Sequence, residues 1–167
     1  MKIITGGQSG ADLAGNYFAK KHGIETEINA ERNFHPLYDE IPNDIKINIV
    51  SDKEGNKGGW IERRRFNIKN SDFTLILIGK PIQFTRGSRG TYNDCIKLKK
   101  DCLAIDIFRC EGGTPDVTKE VGWYRPVHSI NIAREIIKSK NIKVLNNAGE
   151  RNLNKQDCID FLEKLLL

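Results

Sequence analysis

Gly6-Gly7-Gln8-Ser9-Gly10-Ala11-Asp12 follows directly on a short apolar run, the pattern of a strand that turns into a helix through a glycine-rich loop. Glycines let backbone N–H groups come close to an anion, and the positive end of the following helix adds attraction, so phosphate is the ligand such a loop suits. The same turn also serves to pack a helix closely on a sheet, and both readings stand at this point. Two further polar stretches carry the same chemistry: Thr85-Arg86-Gly87-Ser88-Arg89-Gly90-Thr91 and Asn146-Asn147-Ala148-Gly149-Glu150-Arg151. Arg86, Arg89 and Arg151 bring guanidinium forks that match phosphate oxygens. Gln8 and Ser9 are candidate contact residues, with Ser9 as helix N-cap the alternative. Asp12 either binds a ligand hydroxyl or anchors the loop. Arg63 either clamps a phosphate or lies on a solvated basic helix face, whereas Arg64 and Arg65 read as surface. Tyr38, Trp60 and Trp123 either stack on a planar ring or simply pack. Cys95 has no evident histidine partner, so covalent catalysis is unsupported.

These stretches can act together only if the elements bring them to one rim. Lys2 to Thr5 reads as a strand, Ser9 to His22 as a helix stopped by Gly23, and Glu25 to Ala30 as a second strand. From Glu31 to Gly59 prolines, Asn, Asp and Gly predict a long surface excursion with a short strand at Ile45 to Val50. Trp60 to Asn70 is a helix, and Phe73 to Ile78 a strand apolar on both faces, hence central. The second glycine-bearing loop opens a helix through Lys100, then come a strand from Cys102 to Ile107 and a helix from Val127 to Ser139. A short strand at Ile142 to Leu145 and a last helix from about Lys155 to Leu167 complete the chain. Strands separated by helices imply an α/β, Rossmann-like three-layer sandwich whose mostly parallel central sheet has about five strands. All three polar stretches then leave strand ends on the same edge, and their convergence favours an anionic-ligand site.

The 167 residues, 38% of them apolar, suit one domain over 1–167. No apolar run reaches bilayer length, so a cytoplasmic, soluble protein without membrane attachment is expected. Four widely spaced cysteines and three histidines complete no zinc pattern; the cysteines read as reduced packing residues and no metal is expected. The net charge of +5 is too small, and the clusters Arg63-Arg64-Arg65 and Lys97-x-Lys99-Lys100 too poor in interleaved aromatics, to predict a nucleic-acid partner; a small anionic ligand fits better.

The opening stretch resembles the signature of the molybdenum cofactor carrier proteins, which starts Gly-Gly-Gln-Thr-Gly-Val-Asp. Arg63, Asn67 and Ser71-Asp72 fall where that family has an Arg-x-x-x-Asn helix ending in Ser-Asp, and Leu145-Asn146-x-Ala148-Gly149-x-Arg151 resembles its tail. The converging polar stretches and the resemblance together give an expected ligand site at Gly6, Gly7, Gln8, Ser9, Gly10, Asp12, Arg63, Asn67, Arg86, Gly87, Ser88, Arg89, Gly90, Thr91 and Arg151. The resemblance also implies a homo-oligomer, and a bound molybdenum cofactor or nucleotide that is carried or sequestered rather than turned over. Asn29 to Asn33 and the Glu31 to Gly59 region depart from the family pattern, as do Arg86 and Arg89, which bears on what is bound.

A second resemblance is to the Lonely Guy phosphoribohydrolases, which split the base from a nucleoside monophosphate. Glu62-Arg63-Arg64 with Ser71-Asp72 matches their helix, and Gly87 to Asp94 their loop, with Asp94 at the catalytic Glu position and Arg63 as its partner. Ser88 and Phe66 depart from that pattern, and Asp94 is one methylene short. The alternative for Asp94 is a solvated residue in the first turn of a helix. A third expectation, from the wider superfamily, is a sponge that sequesters a nucleotide-derived immune signal.

Overall fold

The computed structural model describes residues 1–36, 39–80, 86–115 and 124–167, with the backbone alone at 86 and 124. Tyr38, Thr85 and Trp123, and the side chain of Arg86, lie outside the described residues. The chain runs β1 (Lys2–Thr5), α1 (Ala11–Lys21), β2 (Glu25–Arg32), β3 (Lys46–Glu54), a 3-10 turn (Gly55–Lys57) and α2 (Gly59–Lys69). It continues β4 (Phe73–Ile78), α3 (Arg86–Lys97), β5 (Cys102–Asp106), β6 (Gly112–Pro115) and β7 (Tyr124–Val127). It ends α4 (Ile130–Lys138), β8 (Val144–Gly149) and α5 (Lys155–Leu166).

The described strands form one sheet in the order β3-β2-β1-β8-β4-β5-β6-β7, parallel from β3 to β5. The three-layer class is as expected; the sheet has eight strands instead of about five. β3 lies in the excursion where a short strand is expected, and the two strands with no counterpart in the sequence reading are β6 and β7, which pair antiparallel beyond β5. Their sequences, Gly112-Gly113-Thr114-Pro115 and Tyr124-Arg125-Pro126-Val127, are rich in the residues that depress strand signals, and such strands survive at a sheet edge. Val127 therefore ends a strand, and α4 starts only at Ile130, where the Ser129 hydroxyl accepts from Ile132 N–H at 3.3 Å. The Glu31 to Gly59 excursion contains the nine-residue β3 rather than a short strand.

α1, α4 and α5 cover one face of the sheet, burying Phe18, Ala133 and Phe161 with Leu75, Leu103 and Leu145. α2 and α3 cover the other, where Ile68, Tyr92 and Cys95 meet Ile76, Ile78 and Ala104. β4 is buried at every position, as its unbroken apolar run requires. β8 is longer than its apolar residues suggest. It continues through Asn146 and Asn147, buried because Asn146 Nδ2 donates to Thr74 Oγ1 at 3.2 Å and Asn147 Nδ2 to the Ala11 carbonyl at 2.7 Å. Successive strands move one way from β1 to β3 and the other way from β4 to β5, so the order reverses between β1 and β4, the place that β8 fills.

Candidate functional site

The loop after β1 is committed largely to the protein itself. Gly7 N–H donates to Thr5 Oγ1 at 3.0 Å, Gln8 N–H to Asp12 Oδ2 at 3.4 Å, and Ala11 N–H to the Glu150 carbonyl at 3.2 Å. A carboxylate already occupies the place where an anion would meet α1: Gly10 N–H donates to Asp39 Oδ2 at 2.8 Å, and Asp39 N–H donates back to Ser9 Oγ at 3.1 Å. Gly10 has φ 75°, and a Cβ there would lie 2.6 Å from the Glu150 carbonyl oxygen, so both the backbone angle and the close approach to the β8–α5 turn demand glycine. For Gly7, Ser9 and Gly10 the packing role is the one the geometry displays.

The rest of the loop faces a cavity of about 860 Å³ on the α2/α3 side of the sheet, at the C-terminal ends of β1 and β8. That is the crevice at the reversal of strand order, where open α/β sheets hold ligands. Gly6, Gln8 and Asp12 line it from the first loop, and Asn146, Ala148, Gly149 and Arg151 from β8 and its exit. α2 contributes Trp60, Ile61, Arg63, Arg64 and Asn67; α3 contributes Gly87, Gly90 and Thr91. The end of the long excursion supplies Gly55, Asn56 and Gly58. Of the residues singled out by sequence, Gly7, Ser9, Gly10, Ser88 and Arg89 stand outside the lining. Gly87 to Thr91 belongs to the opening turns of α3 instead of a loop, because the helix begins at Arg86.

Charge in this cavity is balanced internally. Arg63 is mostly buried; its Nη1 donates to the Gly6 carbonyl at 3.2 Å and to Glu31 Oε2 at 3.1 Å, while its Nε is buried without a partner among the described residues. It thus ties the first loop to α2, and neither a wholly solvated face nor a free clamp describes it. Glu31, 3% exposed at the end of β2, also accepts from Trp60 Nε1 at 3.0 Å. Sequence reasoning missed Glu31, whose only signal is an acidic residue directly after the Ile28-Asn29-Ala30 run. Burial pushes the Asp12 carboxyl up to about 6, against the pull of Arg63 and of the Gln8 and Gly6 N–H groups, with Glu31 adding to the rise.

Asp94 is corrected by the structure. It sits in the body of α3, 3% exposed, not solvated in a first turn. Arg64 Nε donates to its Oδ2 at 2.7 Å and Arg65 Nε to its Oδ1 at 3.3 Å, so both guanidiniums are tied to α3 and are not merely surface charges. Asp94 does not line the cavity.

A model of the circularly permuted YpsA SLOG family matches residues 3–167. The chain belongs to that family. The family's permuted order accords with β8 lying between β1 and β4, since a last strand in the middle of a doubly wound sheet is what moving a first β-α unit to the C-terminus produces. The chain is also similar to a crystal structure from Syntrophus aciditrophicus SB, assigned provisionally as a molybdenum carrier protein. The two share 28% identity at a TM-score of 0.73, covering 99% of this chain and 94% of the other. Among curated proteins none matches the sequence. No described helix is long and apolar enough to cross a membrane, and no described cluster of His, Cys, Asp and Glu has the makings of a metal site.

Proposed function

We propose that this family member binds a small phosphorylated molecule, nucleotide-like or pterin-like, and carries or sequesters it without transforming it. The observation that carries the reading is the cavity at the strand-order reversal, which joins α3's opening turns and Arg151 to an aromatic wall at Trp60. The amides at the start of α1 are engaged by Asp39 and Glu150, so the anion belongs at the α3 and Arg151 end. The provisional assignment of the relative from Syntrophus aciditrophicus supports a molybdenum-cofactor-like ligand among the candidates. Holding is favoured over N-glycosidic hydrolysis because Asp94 is paired with two arginines and is not among the residues that line the cavity. A sponge for a nucleotide-derived signal uses the same cavity and differs only in not releasing its ligand. A cytoplasmic site of action belongs to the same reading, as does self-association, which the edge strand β3 with exposed Ile47 and Ile49 supports.

Mass spectrometry of small molecules released on denaturing the purified protein tests this directly, and the expected finding is a phosphorylated heterocycle. A melting screen adds a second readout: a ligand at a hundredfold its Kd stabilises by ~2.7 kcal/mol, a rise of roughly 5–10 °C for a domain of this size. No copurified ligand, together with no rise from nucleoside monophosphates or molybdopterin, overturns the binding reading. Release of free base from nucleoside monophosphates by the wild type and not by Asp94→Ala overturns the non-catalytic part.

A further inference from the structure

We propose that Trp60 is the platform on which the ligand's ring stacks and that Glu31 is the positioning residue holding it there, so that the cavity selects a purine or pterin over a bare sugar phosphate. This deepens the binding reading above and rests on it. Trp60 lines the cavity with 41% of its surface exposed, yet its indole N–H is fixed at 3.0 Å by Oε1 of the buried Glu31. The other carboxylate oxygen holds Arg63 Nη1 at 3.1 Å, one helical turn further along α2. Gly55 lies so close against the indole that a Cβ has no room there. One edge of the ring is therefore hydrogen-bonded and packed, while 41% of the residue's surface stays exposed.

An exposed indole leaves a large apolar surface in water, and a planar ligand laid on it removes that surface at little further entropic cost, because the side chain is already fixed. The arrangement differs from a packed core tryptophan, whose faces are covered, and from a free surface tryptophan, whose N–H is solvated. Glu31 works through Trp60 and Arg63 and lies behind them, so it is not itself a ligand contact. Arg63 gives the 3%-exposed Glu31 carboxylate a charged hydrogen-bond partner, and their contact couples the aromatic wall to the loop after β1, whose Gly6 carbonyl Arg63 also holds.

The test uses the full chain in a Trp123→Phe background, which leaves Trp60 as its one tryptophan. Inorganic phosphate, ribose 5-phosphate, guanosine 5′-monophosphate and neopterin monophosphate are titrated by calorimetry, with Trp60 emission followed for the nucleotide. The expected result is that the two ring-bearing phosphates bind roughly 5- to 100-fold more tightly than ribose 5-phosphate, the span of stacking a base on an aromatic, and that the nucleotide quenches Trp60. Trp60→Leu brings the ring-bearing probes down to the affinity of ribose 5-phosphate. Glu31→Gln keeps an acceptor for the indole and keeps most of the preference; Glu31→Ala loses the preference and shifts the emission of free Trp60 to the red. Should Glu31→Ala not fold, Trp60→Leu and Glu31→Gln decide. Equal affinity for ribose 5-phosphate and the ring-bearing probes, or a preference that survives Trp60→Leu, overturns the platform while leaving phosphate binding in place. Binding of none of the four probes overturns the platform, and the copurified-ligand and melting measurements above then decide the binding reading beneath it.

Discussion

Asp12 combines two demands that conflict at neutral pH. Its carboxyl is buried against Arg63 and accepts from the loop's own amides, yet burial raises its pKa from 3.8 to about 6. A group raised in this way holds its proton more firmly folded than unfolded. The stability it contributes is whole below about pH 3.8 and is lost as pH rises through about 6, so that above pH 6 the buried charge costs the folded state up to ~3 kcal/mol. Asp12→Asn removes that dependence. The variant is expected to melt above the wild type at pH 7.5, with the difference closing by pH 4, and a wild-type advantage at pH 7.5 would show that the ionised carboxylate is the stabilising form. An anion seated in the cavity raises Asp12 further, so ligand binding near pH 6.5 takes up a proton through it. Calorimetry in buffers of different ionisation enthalpy reads this as a buffer-dependent heat, expected to shrink in Asp12→Asn.

At the scale of elements, the cavity lies where α2 and α3 pack over β1 and β8, and Gly90 is one of the points where the two helices touch. A Cβ at Gly90 would lie 2.6 Å from Arg64 Nη1, and that guanidinium is bound in turn to Asp94, one turn along α3. Gly87, a turn earlier, has nothing among the described residues within 4 Å of a Cβ, and neither glycine has a positive φ. Two glycines of one sequence motif thus have opposite reasons. Gly87→Ala is expected to stabilise by ~0.5–1 kcal/mol through helix propensity. Gly90→Ala pushes Arg64 off a buried carboxylate and is expected to cost ~2–4 kcal/mol despite the same propensity gain. Chemical denaturation of both variants separates the cases, and equal effects would mean that Arg64 gives way without loss. The sequence shows both glycines alike, since only the packed neighbour distinguishes them. β4 was legible because Phe73 to Ile78 is apolar at each position, and α5 because Cys158, Phe161, Leu162 and Leu165 share one face. β8 is longer than its sequence predicts because Asn146 and Asn147 look like a loop until Thr74 and the Ala11 carbonyl are placed beside them. The Trp60–Glu31–Arg63 group is illegible for the same reason: Glu31 lies 29 and 32 residues before its two partners, and the bonds between them depend on how far β2 runs and where α2 starts.

The molecule as a whole is organised around its last strand. β8 pairs with β1 through Lys2↔Val144 to Ile4↔Asn146 and with β4 through Phe73↔Leu145 to Leu77↔Gly149, so it joins the two halves of the described sheet. Its exit loop supplies Arg151 to the cavity and the Glu150 carbonyl to the start of α1, which makes the C-terminal β8-α5 unit part of the same site as the first loop. α5 then runs back beside α1, where Glu163 pairs with Lys21 and His22 just before β2 begins, and so ends at the edge of the sheet from which β1 starts. Joining residue 167 to residue 1 through a short Gly/Ser linker makes β8-α5-β1 one continuous β-α-β unit of adjacent parallel strands. New ends opened between Lys140 and Asn141 fall in an exposed turn away from the cavity. Because folding stability resides in the contacts and not in where the chain is cut, this permutant is expected to fold to the same sheet and to bind the same ligand with an affinity within a few-fold of the original. Its folding should also be faster, since β1 and β8 then pair across one helix instead of across the whole sequence. Stopped-flow refolding and the melting screen check both points. A permutant that folds but has lost ligand stabilisation would show that the cavity depends on the original order of connection, and one that refolds more slowly would show that pairing β8 into the centre does not limit the rate.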